Sequence, residues 1–436
     1  NLQPLAPPTV TPSDLRQPPP FSNNSITVVD PSFKSPTTHE WGLSLQHQVA
    51  RNTIVEADYI GRRAYHLIGA YNANQDQIFS NGFLGAFNTV KAGGESPFIN
   101  QLLTADSRLN PGETGSQLVR RLSASTLALN SVGALANLLA TRLQGGKSVT
   151  SLSGAGAFPL IPFPQFGGAL NVIDSNDFST YHALQLQLQR RYLNGLTGQV
   201  SYTFSKSLDT RSFDPTFTQA NTGGAQSAAS TPIDINNRRL NYAPSDFDRT
   251  HVVQSYWVYE LPFGAGKRFG SHANSVMGRV IGGWELAGVL TLESGRPFTV
   301  YSGSNTVSNV RQTPANCDHC DPHMGQVVID PVSSYKFYFT ADERAKFSTP
   351  APGDFSNTGR NYFRGPGYLD VDATFSKNIR FTERLRLQLR TDVTNLANHP
   401  SADIPTAVIT SSIFGRIRGS TQSAPRRFQL GAKFYF

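Results

Sequence analysis

Apolar and polar residues alternate with period two along nine stretches of the chain, the pattern of strands that bury one face. In the first, Trp41, Leu43, Leu45 and Val49 alternate with Gly42, Ser44, Gln46 and Gln48, and a turn at Arg51 and Asn52 leads into a weaker strand over 53–61. "YHALQLQLQRRY" sets Leu184, Leu186 and Leu188 against Gln185, Gln187 and Gln189, and Asn194-Gly195 turns it into a strand carrying Gly198, Val200, Tyr202 and Phe204. Asn-Gly between alternating segments is a strong hairpin signal. Further strands are read from Val253, Trp257, Tyr259 and Leu261, and from Trp284, Leu286, Leu290 and Leu292. Next, Val371, Ala373, Phe375, Ile379 and Phe381 turn at Thr382-Glu383 into Leu385, Leu387, Leu389 and Val393. The chain closes on "RRFQLGAKFYF", with Phe428, Leu430, Ala432, Phe434 and Phe436 on one face.

Connections alternate between short and long, the long ones running over about 67–179, 207–250, 295–369 and 396–425. A soluble sandwich shows the same alternation within strands but gives no reason for every second connection to be long, whereas a membrane barrel has short turns at one end and long loops at the other. The expected fold is all-β, a transmembrane antiparallel β-barrel portion over 25–436 with long extracellular loops, preceded by a Pro-rich linker or loop over 1–24. The last strand then ends on the periplasmic side, with Phe436 at an aromatic girdle facing lipid. The polar stripes, Gln185, Gln187, Gln189, Asp370, Asp372, Arg386, Gln388 and Arg390 among them, suit a wet interior. Helical spacing over 81–144 predicts two or more helices within the first loop, capped by Ser and Asn and broken by Pro97 and Pro111. Its apolar stretch 127–140 is read as a helix packed in that loop, too short for a membrane span.

Composition changes the picture little. Hydrophobic content of 38%, 37 glycines, 28 prolines and 11% aromatics favour β-structure with many turns. A net charge of +8 could serve nucleic acid or an anionic membrane surface, but the Arg pairs at 62–63, 120–121, 190–191, 238–239 and 426–427 are scattered over strand ends and loops. No nucleic-acid partner is expected; phosphates of an outer leaflet, outer-membrane lipid and lipopolysaccharide, suit the pairs better, and ordinary solvated charge accounts for most of them. The start of the chain has neither the basic nor the apolar region of a signal peptide, so a processed chain or part of a longer product is expected.

Five segments, taken together and in order, resemble the C-terminal part of a TonB-dependent outer-membrane receptor of the Oar-like kind, which carries a carboxypeptidase-regulatory-like N-terminal module. They are "STYHALQLQLQRRYLNGLTGQVSYTFSKSLD", "DFDRTHVVQSYWVYELPFGAGKRFG", "GGWELAGVLTLESGRPFTV", "GRNYFRGPGYLDVDATFSKNIRFTERLRLQLRTDVTNLANHP" and the closing strand. The resemblance implies a barrel of about 22 strands around a plug, driven from the inner membrane by the TonB complex. It also implies that the terminal strand, with Phe428, Leu430, Phe434 and Phe436, is read by the barrel-assembly machinery. Nine strands are read here, without a plug or coupling segment. An open nine-strand sheet leaves two unpaired edges in lipid, so a longer polypeptide or a partner chain completing the barrel is expected.

Candidate chemistry is sparse, and neither a cofactor nor an enzyme activity is expected. "GAGKRFG" departs by one residue from a dinucleotide fingerprint and is read as a turn. "NCDHCDPHMG" gathers Cys317, His319, Cys320 and His323 at a spacing matching no common zinc site; a Cys317–Cys320 disulfide in the extracellular loop over 295–369 is the first choice, with metal or unpaired thiols as alternatives. Asp246, Asp248, Arg249 and His251 lie together, with Ser245 and Ser255 nearby, and are read as salt-bridged residues at a strand mouth. Glu285 and Glu293 are read as lumen lining. Two functions fit: a transporter for a bulky substrate or a polypeptide, and a structural or adhesive surface protein whose loops bind a partner.

Overall fold

The computed structural model describes residues 26–104, 106–144, 160–163, 170–212, 232–310, 312–382, 384–418 and 423–436. The Pro-rich stretch over 1–24 and Glu383 of the Thr382-Glu383 turn lie outside them. Nine strands form one antiparallel meander in sequence order: β1 (Thr37–Ala50), β2 (Thr53–Asn72), β3 (Leu170–Leu193), β4 (Leu196–Asp209), β5 (His251–Glu260), β6 (Trp284–Glu293), β7 (Tyr368–Arg380), β8 (Arg386–Thr394) and β9 (Arg427–Tyr435). A short strand, Ile26–Val29, runs parallel to the start of β3. Asn194 and Gly195 both have positive φ (54° and 85°), which a tight turn matching the twist of its strands requires.

The expected barrel is present as a wall. Among the described residues β1 and β9 are edges, and the ladder does not close on itself.

Because directly opposed residues in an antiparallel ladder share a face, the register sorts the wall into two surfaces. One row runs Leu45, Ala57, Leu186, Tyr202, Val253, Leu292, Leu369 across seven strands; its neighbour one residue along runs Gln46, Glu56, Gln187, Ser201, Gln254, Thr291, Asp370. The apolar surface is exposed: Leu43 and Leu45 are 73% and 71% accessible, and Leu184, Leu186 and Leu188 at least 40%. At two points a large ring lies flat over a glycine of the next strand, Trp41 over Gly61 and Trp257 over Gly288, where any Cβ would collide with the indole.

Three sequence expectations need correction. β2 and β3 extend well past the alternating segment, so the first long connection is 73–169 and not 67–179. Beyond Gly61 the strand pair continues through two register shifts, and polar residues on both faces hide it from a period-two reading. Pro97 does not break a helix but opens one, in the first-turn position where its missing N–H costs nothing, with Ser96 as cap. The stretch 127–140 is two helices separated at Asn130, which has φ 58°.

The first long connection holds α1 (Phe83–Lys91), α2 (Pro97–Leu102), α3 (Gly115–Leu122), α4 (Ala124–Ala128) and α5 (Val132–Gln144) around a core containing Phe83, Phe87, Ile99, Leu118 and Leu135. Thr114 and Gln117 close a reciprocal cap at the start of α3. The connections after β6 and β8 build a second core, mostly aromatic: Phe298, Phe339, Phe347, Phe363 and Phe414. The two cores are joined. The Gly133 N–H donates to Asn305 O (2.9 Å), the Asn130 side chain to Pro350 O (2.8 Å), and the Ser131 and Ser304 hydroxyls share a hydrogen bond (2.8 Å). The described parts of these connections thus form one layer at one end of the wall. The β5–β6 connection at the other end carries a helix that the sequence reading missed, α6 (Ser275–Ile281).

Candidate functional site

The polar face of the wall and the loop layer above it meet along a seam of arginine–carboxylate pairs. Arg360, 4% exposed, is its hub: its guanidinium donates to Asp209 Oδ1 (2.7 Å), Ser212 Oγ (2.6 Å), Asp246 Oδ1 (3.3 Å) and the Asn241 carbonyl (2.9 Å). Arg364 pairs with buried Asp248 (2.6 Å), Arg249 with Glu293 (3.1 Å), Arg211 with Asp177 (2.6 Å) and Arg296 with Asp403 (2.6 Å). A planar fork satisfies several acceptors at once, which is why arginine serves at such buried junctions. The ion pairing expected for Asp246, Asp248 and Arg249 is present; partners Arg360 and Arg364 come from the distant "GRNYFRG", and nothing in the sequence foretold them. His251 instead meets the Tyr202 hydroxyl through Nδ1 (2.9 Å), while the Ser245 hydroxyl is engaged with Ser207 (2.8 Å), so no serine–histidine pair forms.

Below the seam the polar face carries further acids. Asp370, Asp372 and Asp392 line a cavity of about 670 Å³ together with Thr394, Asn395, Arg427 and Gln429. Thr374 donates to Asp392 (2.6 Å), Arg390 pairs with the same carboxylate (2.7 Å), and the Tyr368 hydroxyl donates to Asp370 (3.2 Å). Glu285 accepts from Ser376 (3.3 Å). Such a surface can hydrogen-bond a polar solute, and among the described residues lining it no nucleophile is held against a base.

At the junction of the two loop cores Asp76 is 6% exposed, its N–H donating to Asn309 Oδ1 (3.0 Å) and its Oδ2 without a hydrogen-bond partner; burial pushes this carboxyl well above the usual range. Cys317 and Cys320 are joined, with Cα atoms 5.7 Å apart, and Cys317 packs in the aromatic core. His319 lies exposed beside them, and among the described residues no three metal-ligating side chains converge. "GAGKRFG" is a turn in which Lys267 pairs with Glu260 (2.9 Å). Phe428, Leu430 and Phe434 of β9 lie on the apolar face opposite Val393, Thr391 and Leu387, and Phe436 follows the strand.

The sequence matches the outer membrane beta-barrel domain family over residues 2–429. The chain belongs to that family. It is a family of outer-membrane barrels. No curated protein matches the chain. Among solved structures it is similar to the Escherichia coli outer membrane transporter YddB (TM-score 0.38, 10% identity, 94% of this chain and 34% of that one). Similar too are the ferric-catecholate import receptor Fiu of E. coli K12 (0.33, 10%, 93% and 28%) and the FrpB iron transporter of Neisseria meningitidis (0.33, 10%, 94% and 33%). This chain spans about a third of the length of those proteins.

Proposed function

We propose that the chain forms part of the barrel wall of an energised outer-membrane receptor, TonB-dependent and of the Oar-like kind, that takes up a bulky substrate or passes a polypeptide. The observation that carries this reading is the pairing of a two-faced wall with a loop layer: acids and amides line the inner face, and the described parts of the long connections gather at one end, tied to the strands by buried arginines. In this reading the loops are extracellular and engage substrate, the C-terminus is periplasmic, and lipopolysaccharide surrounds the apolar face. Phe428, Leu430, Phe434 and Phe436 serve the assembly machinery, and the TonB complex acts on a plug elsewhere in the natural product. Further strands of that product, or a partner chain, pair with β1 and β9. The Cys317–Cys320 bond braces the extracellular loop over 295–369.

A second reading, an adhesive surface protein without transport, is favoured by one feature of the loop layer. Its hairpin of Val328–Ile329 and Lys336–Phe337 projects Ile329 (66% exposed) and Val332 (93%). Intact mass of the natural protein purified from outer membranes separates the two. A mass above 47.5 kDa by enough for a plug and further strands is expected for the receptor; a mass at 47.5 kDa overturns it in favour of adhesion. Delayed electrophoretic migration only after boiling is expected of either, as for any closed barrel.

A further inference from the structure

Among the described residues the β5–β6 connection is the one turn-end segment that carries a helix, and its position is fixed from the apolar face. Trp284 and Lys377 are direct cross-strand partners on that face. The Trp284 indole donates to Val280 O (3.2 Å), and the Lys377 ammonium donates to Val280 O (2.7 Å) and to Gly282 O, the free carbonyls at the end of α6. Lys377 would be costly in hydrocarbon; here it is 6% exposed, its charge set against the negative end of a helix and over the Trp284 ring (4.8 Å). It interrupts an otherwise apolar row, between Phe375 and Ile379, and covering it is what anchors the helix.

The orientation of α6 follows from its two sides. Asn274, its cap, and Gly278 line a cavity of about 620 Å³ that reaches the polar-face residues Glu260, Glu285, Arg380 and Arg386. Val276 and Val280 each lie two residues from Gly278 and so about 160° away around the helix. They point away from that cavity, 69% and 61% exposed, and Met277 beside them is 52% exposed. A soluble surface has no use for three such side chains on seven residues, but they continue the apolar face that a barrel wall turns toward lipid.

We infer that α6 is an interfacial helix, lying at the membrane boundary on the turn end of the wall with Val276, Met277 and Val280 inserted among lipid acyl chains. Phe269 of the same connection, 50% exposed and in ring contact at 5.7 Å with Phe263, which lines the cavity, adds an aromatic of the kind common at that depth. The inference rests on the assignment of the apolar face to lipid.

Nitroxide labels test it on the full natural protein in bilayers, with Cys317 and Cys320 kept as their disulfide so that only the introduced thiol reacts. Val276→Cys and Val280→Cys are compared with Leu186→Cys on the lipid face and His272→Cys on the exposed approach to the helix. Expected is oxygen contact several-fold above that at 272, and exclusion of a water-soluble nickel chelate, at both 276 and 280, as at 186. Chelate access at 276 and 280 with 186 still in lipid overturns the interfacial helix alone. Exclusion of both reagents there means a protein covers it, which also overturns the inference. Chelate access at 186 overturns the lipid-face assignment itself.

Discussion

Asp76 and Glu113 show two carboxyls of opposite pH character within one loop. Glu113 accepts from Arg121 and from the Asn110 N–H, and these bonds, the Arg121 one foremost, lower its pKa to about 2. Its contribution is complete above the ordinary value near 4.5 and is lost as pH falls toward 2; hydrogen exchange in α3 is expected to accelerate over that window, and Glu113→Gln to remove the dependence. Asp76 is the reverse: burial raises its pKa, so its ionisation erodes stability as pH rises above the ordinary 3.8. Asp76→Asn is expected to slow exchange over 73–78 at pH 8, by about 1 to 3 kcal/mol of local opening, and to change little at pH 3. Slower exchange at both pH values would locate the effect elsewhere than in the charge. Arg360→Ala strands Asp209 without its buried partner and is expected to loosen the seam by about 3 to 5 kcal/mol, read as faster exchange at 241–248 and 356–364.

At the scale of elements, what was legible is what one face of a strand dictates. Leu184, Leu186 and Leu188 announced β3, and Asn194-Gly195 its turn, because register and turn type follow from neighbouring residues. The upper halves of β2 and β3 escaped because their register shifts and the polar residues on both faces leave no alternation to read. Helix α6 escaped because seven residues give too little periodicity; its one sequence signal was the lysine where Phe375 and Ile379 call for an apolar residue. The seam was half legible: Asp246, Asp248 and Arg249 are local, but Arg360 and Arg364 lie more than a hundred residues away. Face assignment itself is testable. Leu186→Arg is expected to destabilise the wall by about 2 to 4 kcal/mol, and the adjacent Gln187→Arg by far less, measured as urea unfolding in lipid vesicles. Equal costs would contradict the two-faced wall.

At the scale of the molecule, the strands differ greatly in length. β3 has 24 residues and β2 has 20, whereas β8 and β9 have nine each. At about 3.3 Å per residue and a tilt of about 45°, β3 rises about 55 Å and β9 about 20 Å, against an apolar band about 25 Å tall. The short strands therefore rise a little less than the height of that band, while the long pair rises about twice its height and stands above its neighbours as a parapet. The helical core of the first connection springs from the top of this parapet. The rim of the wall is a slope, and a body descending on it touches the β2–β3 crest and its helices well before it comes level with β8.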